Sequence, residues 1–293
     1  MADIRDKLRA QIGQRPAGAL PGAGHKALED RLRDQAGAQQ EKERAAQYAA
    51  VDVYLVTDAT GSMDYLIATV REGAEKIGAE LFNHPDRGET RISISAVRDH
   101  GEGAEWFQQG TLRSTLAPLQ RDISAVRCYG GSDGAEAYEC AWLQLAREIS
   151  QNSGQRKRVV VFAGDNLPHG YKVNPQAQRR VYVDDAGCPH QVDYRTSWQA
   201  LTTAAELTLF VGCHEAHRDD AMIEAQRSIV AADDPRQRYV DLGNIGDIPA
   251  LIMATTRLAQ SNAAARDYIA RLALEDSERA GRIKGYLGVK NGS

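Results

Sequence analysis

Residues 51–63 read VDVYLVTDATGSM. Val51 to Thr57 is a β-branched, apolar run without glycine or proline, the pattern of a buried central strand. It ends on Asp58, after which Thr60 and Ser62 place two hydroxyls at alternate positions of a tight turn eased by Gly61. An amphipathic helix follows at once, with Met63, Leu66, Ile67, Val70, Ala74, Ile77 and Leu81 recurring at helical spacing. Such a turn can face three oxygens toward one point, the donor set of a hard divalent cation. Turn and N-cap chemistry explains the same residue types, because Ser62 stands near the start of the helix.

Two later stretches add oxygen donors at comparable places. GGSDGAE, residues 130–136, is a glycine-rich loop carrying a hydroxyl and carboxylates. It leads into a helix with Tyr138, Ala141, Trp142, Leu145 and Ile149 on one face. VVVFAGD, residues 159–165, is a second buried strand ending on Asp165, with Asn166, Pro168 and His169 beyond it. A doubly wound sheet gathers such strand ends at its ligand crevice.

DATGSM, GGSDGAE and VVVFAGD, in that order and at suitable separations, resemble the von Willebrand factor A (VWA) domain and its metal-ion-dependent adhesion site (MIDAS), in the intracellular bacterial form. The resemblance spans roughly residues 49–260. The family's Asp-x-Ser-x-Ser motif is matched by Asp58, Thr60 and Ser62, with Thr for the middle Ser. Its second element falls on Ser132 or Asp133, of which Asp133 is preferred, and its final Asp on Asp165. The resemblance implies a Mg2+ site, with Mn2+ or Ca2+ as alternatives. Thr60, Ser62 and Asp133 would coordinate or approach the ion, and Asp58 and Asp165 would act directly or through water. It also implies an open coordination position for an Asp or Glu of a partner protein, and an ATPase or kinase of the same system as that partner. Asp99, near the site at the end of another strand, is assigned behind the ligands, and His100 and His169 to a rim that selects the partner.

Outward from these motifs the βα alternation is regular. Strands are expected at 91–98, 158–164, 207–212 and 238–242, an edge strand at 105–112, and helices at 133–151, 197–205, 218–231 and 246–259. The expected fold is therefore α/β, a Rossmann-like doubly wound sheet of five parallel strands and one antiparallel edge strand, with helices on both faces. Charged helical extensions flank it. Residues 1–48 hold two Ala- and Gln-rich helices (2–13 and 26–48) around Pro16 and Pro21, and 261–293 hold a charged helix (262–287) expected to be exposed. Between His169 and Trp198 an insertion, about 171–196, exceeds the usual αβ connection. Arg179, Arg180, Asp184 and Asp185 make it either a specific surface beside the site or a solvated hairpin.

Composition limits the function classes. Lys and Arg total 36 against 40 Asp and Glu, so the net charge of −4 gives no electrostatic footprint for nucleic acid. Only 6% of residues are aromatic, so aliphatic packing is expected to dominate the core. No run approaches the ~20 apolar residues of a membrane span, and MADIRDKLRAQIGQ is charged where a signal peptide is apolar. A cytoplasmic protein is expected, and Cys128, Cys140, Cys188 and Cys213, without C-x-x-C spacing, read as reduced thiols. Cys188, His190, Cys213, His214 and His217 form a candidate zinc set, without the tight pairs of structural zinc sites.

The function expected is non-enzymatic, metal-dependent protein binding. Two alternatives are a phosphatase-like hydrolase using Asp58 as nucleophile and a metal-independent scaffold using the terminal helices. The hydrolase wants a second acid two positions after the nucleophile, where this chain has Thr60, and a well-placed Lys before Asp165. Neither a P-loop nor a Ser-His-Asp set is present.

Overall fold

Val51, Val53 and Leu55 belong to one buried layer, and Tyr54 and Val56 to another. A strand with both faces covered is the signature of a parallel sheet between helical layers. We describe the protein from a computed structural model, which covers residues 49–82, 89–131, 135–152, 154–172, 187–214 and 219–289. The chain divides into units Met1–Arg44 and Ala45–Ser293, and the described residues all lie in the second. The helices expected at 2–13 and 26–48 lie outside the described residues.

The strands are β1 (Val51–Asp58), β2 (Thr90–Val97), β3 (Phe107–Gln108), β4 (Ala135–Glu136), β5 (Lys157–Gly164), β6 (Leu167–Pro168), β7 (Leu207–Gly212) and β8 (Gln237–Asp241). The helices are α1 (Asp64–Phe82), α2 (Leu116–Ala125), α3 (Tyr138–Gln151), α4 (Tyr194–Ala204), α5 (Asp220–Ile229), α6 (Ile248–Gln260), α7 (Asn262–Glu275) and α8 (Ser277–Leu287). Six strands form one sheet in the order β3-β2-β1-β5-β7-β8. All neighbours pair in parallel except β3, which runs antiparallel to β2. The Rossmann-like α/β fold is thus as expected. Because β2 and β5 flank β1 on opposite sides, the chain reverses direction across the sheet at β1/β5. The carboxyl ends of those two strands therefore bound the crevice where such sheets place ligands.

Local departures have local causes. Residues 105–112 give only a two-residue strand: the 3-10 segment capped by Asp99 runs to Glu105, and beyond Gln108 the chain leaves the ladder, Gly110 N donating to the Ser95 hydroxyl (3.0 Å). Helix α3 starts at Tyr138 rather than at 133, since Ala135 and Glu136 pair with Leu167 and Pro168 in a small second sheet. The hairpin considered for residues 181–194 lies outside the described residues up to 186. The remainder holds no strand, and Tyr194 already begins α4, capped by Asp193.

The two core layers differ in chemistry. The layer under α1, α2 and α6 is aliphatic, with Val51 and Val53 of β1, Val159 and Val161 of β5, and the leucines of β7. The other concentrates the few aromatics: Trp142 is fully buried and meets Tyr138, Phe162, Trp198 and Phe210 with ring centroids 5.0 to 6.1 Å away. Aliphatic dominance therefore holds on one face only.

The C-terminal segment corrects the expectation of one exposed helix. Asp276 breaks it into α7 and α8 and caps the second. Tyr268, Ile269, Leu272, Ile283 and Leu287 are buried in the aliphatic layer. The join is fixed by Asp247, fully buried, which accepts from Arg279 Nε (3.3 Å) and from Arg282 Nε and Nη2 (2.7 and 2.9 Å). Asp247→Ala is expected to lower the unfolding free energy by about 2 kcal/mol in urea titrations, less than a fully buried pair because both arginines reach solvent. An unchanged midpoint would mean the two arginines do not hold the C-terminal helices.

Candidate metal centre

Asp58 ends β1 and is fully buried, and its two oxygens are both occupied. Oδ1 accepts from Thr60 N (2.8 Å) and Thr60 Oγ1 (2.7 Å), and Oδ2 accepts a short hydrogen bond from the Tyr138 hydroxyl. Thr60 Oγ1 lies 3.3 Å from Ser62 Oγ, and the Ser62 hydroxyl stands beside the carboxyl group of Asp165, just beyond β5, where it favours the ionised form. Asp58, Thr60, Ser62 and Asp165 are therefore brought together from two distant stretches. Ser62 is exposed, so the group opens to the surface on that side.

Burial, and then the neighbouring Asp165 charge, push Asp58 up to about 7. Burial also raises Asp165, against the pull of the Ser62 hydroxyl and of His214. Two carboxyl groups this close, without a lysine or arginine partner among the described residues, need a proton or a cation between them. The donors are all oxygen, as Mg2+ requires, and on that chemistry the residues fit a hard divalent ion.

The loop of the second motif is held against this group. Arg98 is buried, donates to the carbonyls of Glu105 (2.8 Å) and Arg127 (2.5 Å), and lies 4.3 Å from the centre of the Tyr129 ring. Tyr129 N donates to Ala59 O (3.0 Å). At Gly131, φ is +80° and an added Cβ would come within 2.9 Å of Thr60 Cβ, so only glycine lets the chain pass there. Ser132 and Asp133, next in sequence, lie outside the described residues. Asp99 does not back the ligands: its carboxylate caps His100 N (2.6 Å) and faces His169 Nε2 (3.2 Å). Nor do His100 and His169 form a rim. Both side chains turn inward on Glu139, and His169 is only 4% exposed. Burial would lower His169, but Glu139 and Asp99 hold its imidazole above the ordinary value.

Several positioning residues gave no signal in the sequence. Tyr138 reaches Asp58 from α3 because Gly164 leaves room: a Cβ there would sit 2.5 Å from the phenol oxygen. Gln226, fully buried, donates Nε2 to Gly164 O (3.4 Å) and Asn166 O (2.8 Å), fixing the turn that carries Asp165. His214 Nε2 pairs with the same glutamine at 2.8 Å. The candidate zinc set is therefore split: His214 sits with Gln226, Cys213 is buried in the aliphatic layer, Cys188 and His190 lie beside His100, and His217 is outside the described residues. Tyr138→Phe removes the donor to Asp58 Oδ2. It is expected to destabilise the protein in EDTA by about 1–3 kcal/mol while leaving a Mg2+-induced thermal shift in place. Loss of that shift would make Tyr138 part of the metal site itself.

No family model and no curated protein matches this chain. Solved structures similar to it are the pilus adhesin SpaC from Lactobacillus rhamnosus GG and the PilB minor pilin from Streptococcus sanguinis. The adhesin in its open conformation is 14% identical over 81% of this chain and 30% of its own, with a TM-score of 0.48. The D319A mutant of the minor pilin is 10% identical over 74% of this chain and 62% of its own, with a TM-score of 0.50. The chain thus spans under two thirds of either protein's length, and identity this low speaks to the fold alone. Among the described residues no helix is long and apolar enough to cross a membrane.

Proposed function

We propose that the chain is a VWA-like, non-enzymatic binding module. Its Asp58, Thr60, Ser62 and Asp165 hold a Mg2+, or Mn2+ or Ca2+, with Asp133 added from the second motif. The observation that carries this reading is the convergence of the buried Asp58 and the half-buried Asp165 carboxyl groups, with the Thr60 and Ser62 hydroxyls beside them, at the β1/β5 crevice. A bound Mg2+ would supply a Lewis-acidic position that a partner's Asp or Glu carboxylate can fill. The chain's own part is to aim hydroxyls: Asp58 accepts a hydrogen bond from the Thr60 hydroxyl and so turns that oxygen's lone pairs outward, and exposed Ser62 leaves room for the visitor.

The same hydrogen bonds weigh against the hydrolase reading. Asp58 accepts three hydrogen bonds, from Thr60 N, Thr60 Oγ1 and the Tyr138 hydroxyl, and these draw off the electron density that a nucleophilic carboxylate uses. The cytoplasmic setting and an ATPase or kinase of the same system as partner enter this proposal from the VWA resemblance. Capture from native lysate in Mg2+ and in EDTA tests the proposal. The partner should be retained in Mg2+ only, and lost with Asp165→Ala. Retention in EDTA would favour the scaffold, and release of phosphate from an aryl phosphate would favour the hydrolase.

A further inference from the structure

A second cluster lies apart from the Asp58 group and is built from softer atoms. His100 comes from the 3-10 segment after β2, Glu139 and Cys140 from the first turn of α3, and Cys188 from the loop before α4. One ligand atom from each lies within 4.8 Å of all the others. His100 Nε2 is 3.0 Å from Glu139 Oε1 and 3.6 Å from Cys188 Sγ, and the two sulfurs are 3.4 Å apart. Zinc with bonds of about 2.0–2.3 Å has tetrahedral edges of roughly 3.3–3.8 Å; the separations of 3.0, 3.6 and 3.4 Å already lie near these edges, and no pair is more than 4.8 Å apart.

The arrangement is not that of a catalytic thiol. A Cys-His-Glu relay places thiol and carboxylate on opposite ring nitrogens. Here both face His100 Nε2, while His100 Nδ1 is buried without a hydrogen bond among the described residues. Convergence of sulfur, nitrogen and oxygen on one point is what coordination requires.

The surroundings are those of a closed metal site. Glu139 is fully buried, and its second oxygen, Oε2, accepts from His169 N (3.1 Å). His169 Nε2 continues to Asp99 Oδ1 at 3.2 Å. Such outer partners fix the orientation of ligating carboxylates. His190 packs edge-on against His100 with centroids 4.8 Å apart.

We infer that His100, Glu139, Cys140 and Cys188 form a structural zinc site that ties the loop before α4 to the start of α3. Four protein ligands leave no open position, so the role is to hold the fold beside the crevice rather than to do chemistry. The inference does not depend on the Mg2+ reading, which uses none of these side chains.

The test is metal analysis of the full chain purified under reducing conditions, with Co2+ exchanged for the native metal. About one Zn2+ per chain is expected. The Co2+ form should show intense thiolate-to-metal charge-transfer bands with tetrahedral d–d absorption. Cys188→Ser, whose side chain is only half-buried, should lower zinc content at least about fivefold with an unchanged circular dichroism spectrum. Asp58→Ala should leave zinc content as it is, which separates this site from the other. Three results would overturn the inference: wild-type chain that takes up neither Zn2+ nor Co2+, a Co2+ spectrum without thiolate bands, or a Cys140–Cys188 disulfide persisting in reducing buffer.

Discussion

In saturating Mg2+ the wild-type chain is expected to unfold about 5–10 °C higher than in EDTA, and Asp58→Ala to show no such difference. The size follows from linkage: at a concentration of about one hundred times Kd a single bound ion stabilises by about 2.7 kcal/mol, worth about 2–4 °C per kcal/mol in a domain of this size. The electrostatics add a crossover. Asp58 is fully buried, and its carboxyl is pushed from 3.8 up to about 7 by burial and by Asp165. A raised pKa means that the folded state holds the proton more tightly than the unfolded chain. The contribution is fully present below about 3.8 and is lost as pH rises through about 7. At pH 8 in EDTA the ionised wild type therefore carries a cost that Asp58→Asn lacks. The variant should be the more stable of the two without metal and the less stable with it. Differential scanning fluorimetry across pH 5 to 8 measures both, and parallel curves for wild type and variant would contradict the site.

A chain ending at Gln260 is expected not to fold cooperatively. Helix α6, IPALIMATTRLAQ, has buried residues all round, Leu251, Ile252, Met253 and Ala254 in succession among them. A helix whose run Ile248–Ala254 puts apolar side chains on every side must be covered on every side there. The sheet covers one side, while Tyr268, Ile269, Leu272, Ile283 and Leu287 of α7 and α8 join the same aliphatic layer. Five large side chains at about 1.5–3 kcal/mol each approach the whole stability of an ordinary domain, about 5–15 kcal/mol. Truncation should yield strong binding of a hydrophobic dye and a broad thermal transition. A truncated chain melting sharply within about 3 °C of the full one would show that α7 and α8 are appendages after all.

What could be read in the residues divides by range. Alternating and continuous apolar runs located β1, β2, β5, β7 and β8, because burial on both faces leaves a local mark. Asp58, Thr60, Ser62 and Asp165 were legible because each ends or follows a strand whose position is itself legible. The fate of the C-terminal helix was written in α6 rather than in α7 and α8, whose own charge density suggested exposure; the continuous apolar run Ile248–Ala254 was the signal. The inward turn of His100 and His169 left no such mark. It depends on Glu139, one carboxylate on a helix whose first turn was expected several residues earlier. Nor does adjacent Glu139–Cys140 resemble any spaced ligand pair, so the sulfur cluster is visible only once α3, the segment after β2 and the loop before α4 are set side by side.

The central claim is that oxygens from β1, from the turn after β5 and from the second motif meet at one divalent ion. An anomalous difference map from a crystal of the full chain grown in Mn2+ tests it most directly. The account predicts one Mn2+ peak within bonding distance of Ser62 Oγ and beside Asp165 and Asp133. A map with no peak there at saturating Mn2+, while Asp58, Thr60, Ser62 and Asp165 keep the arrangement described, would contradict it.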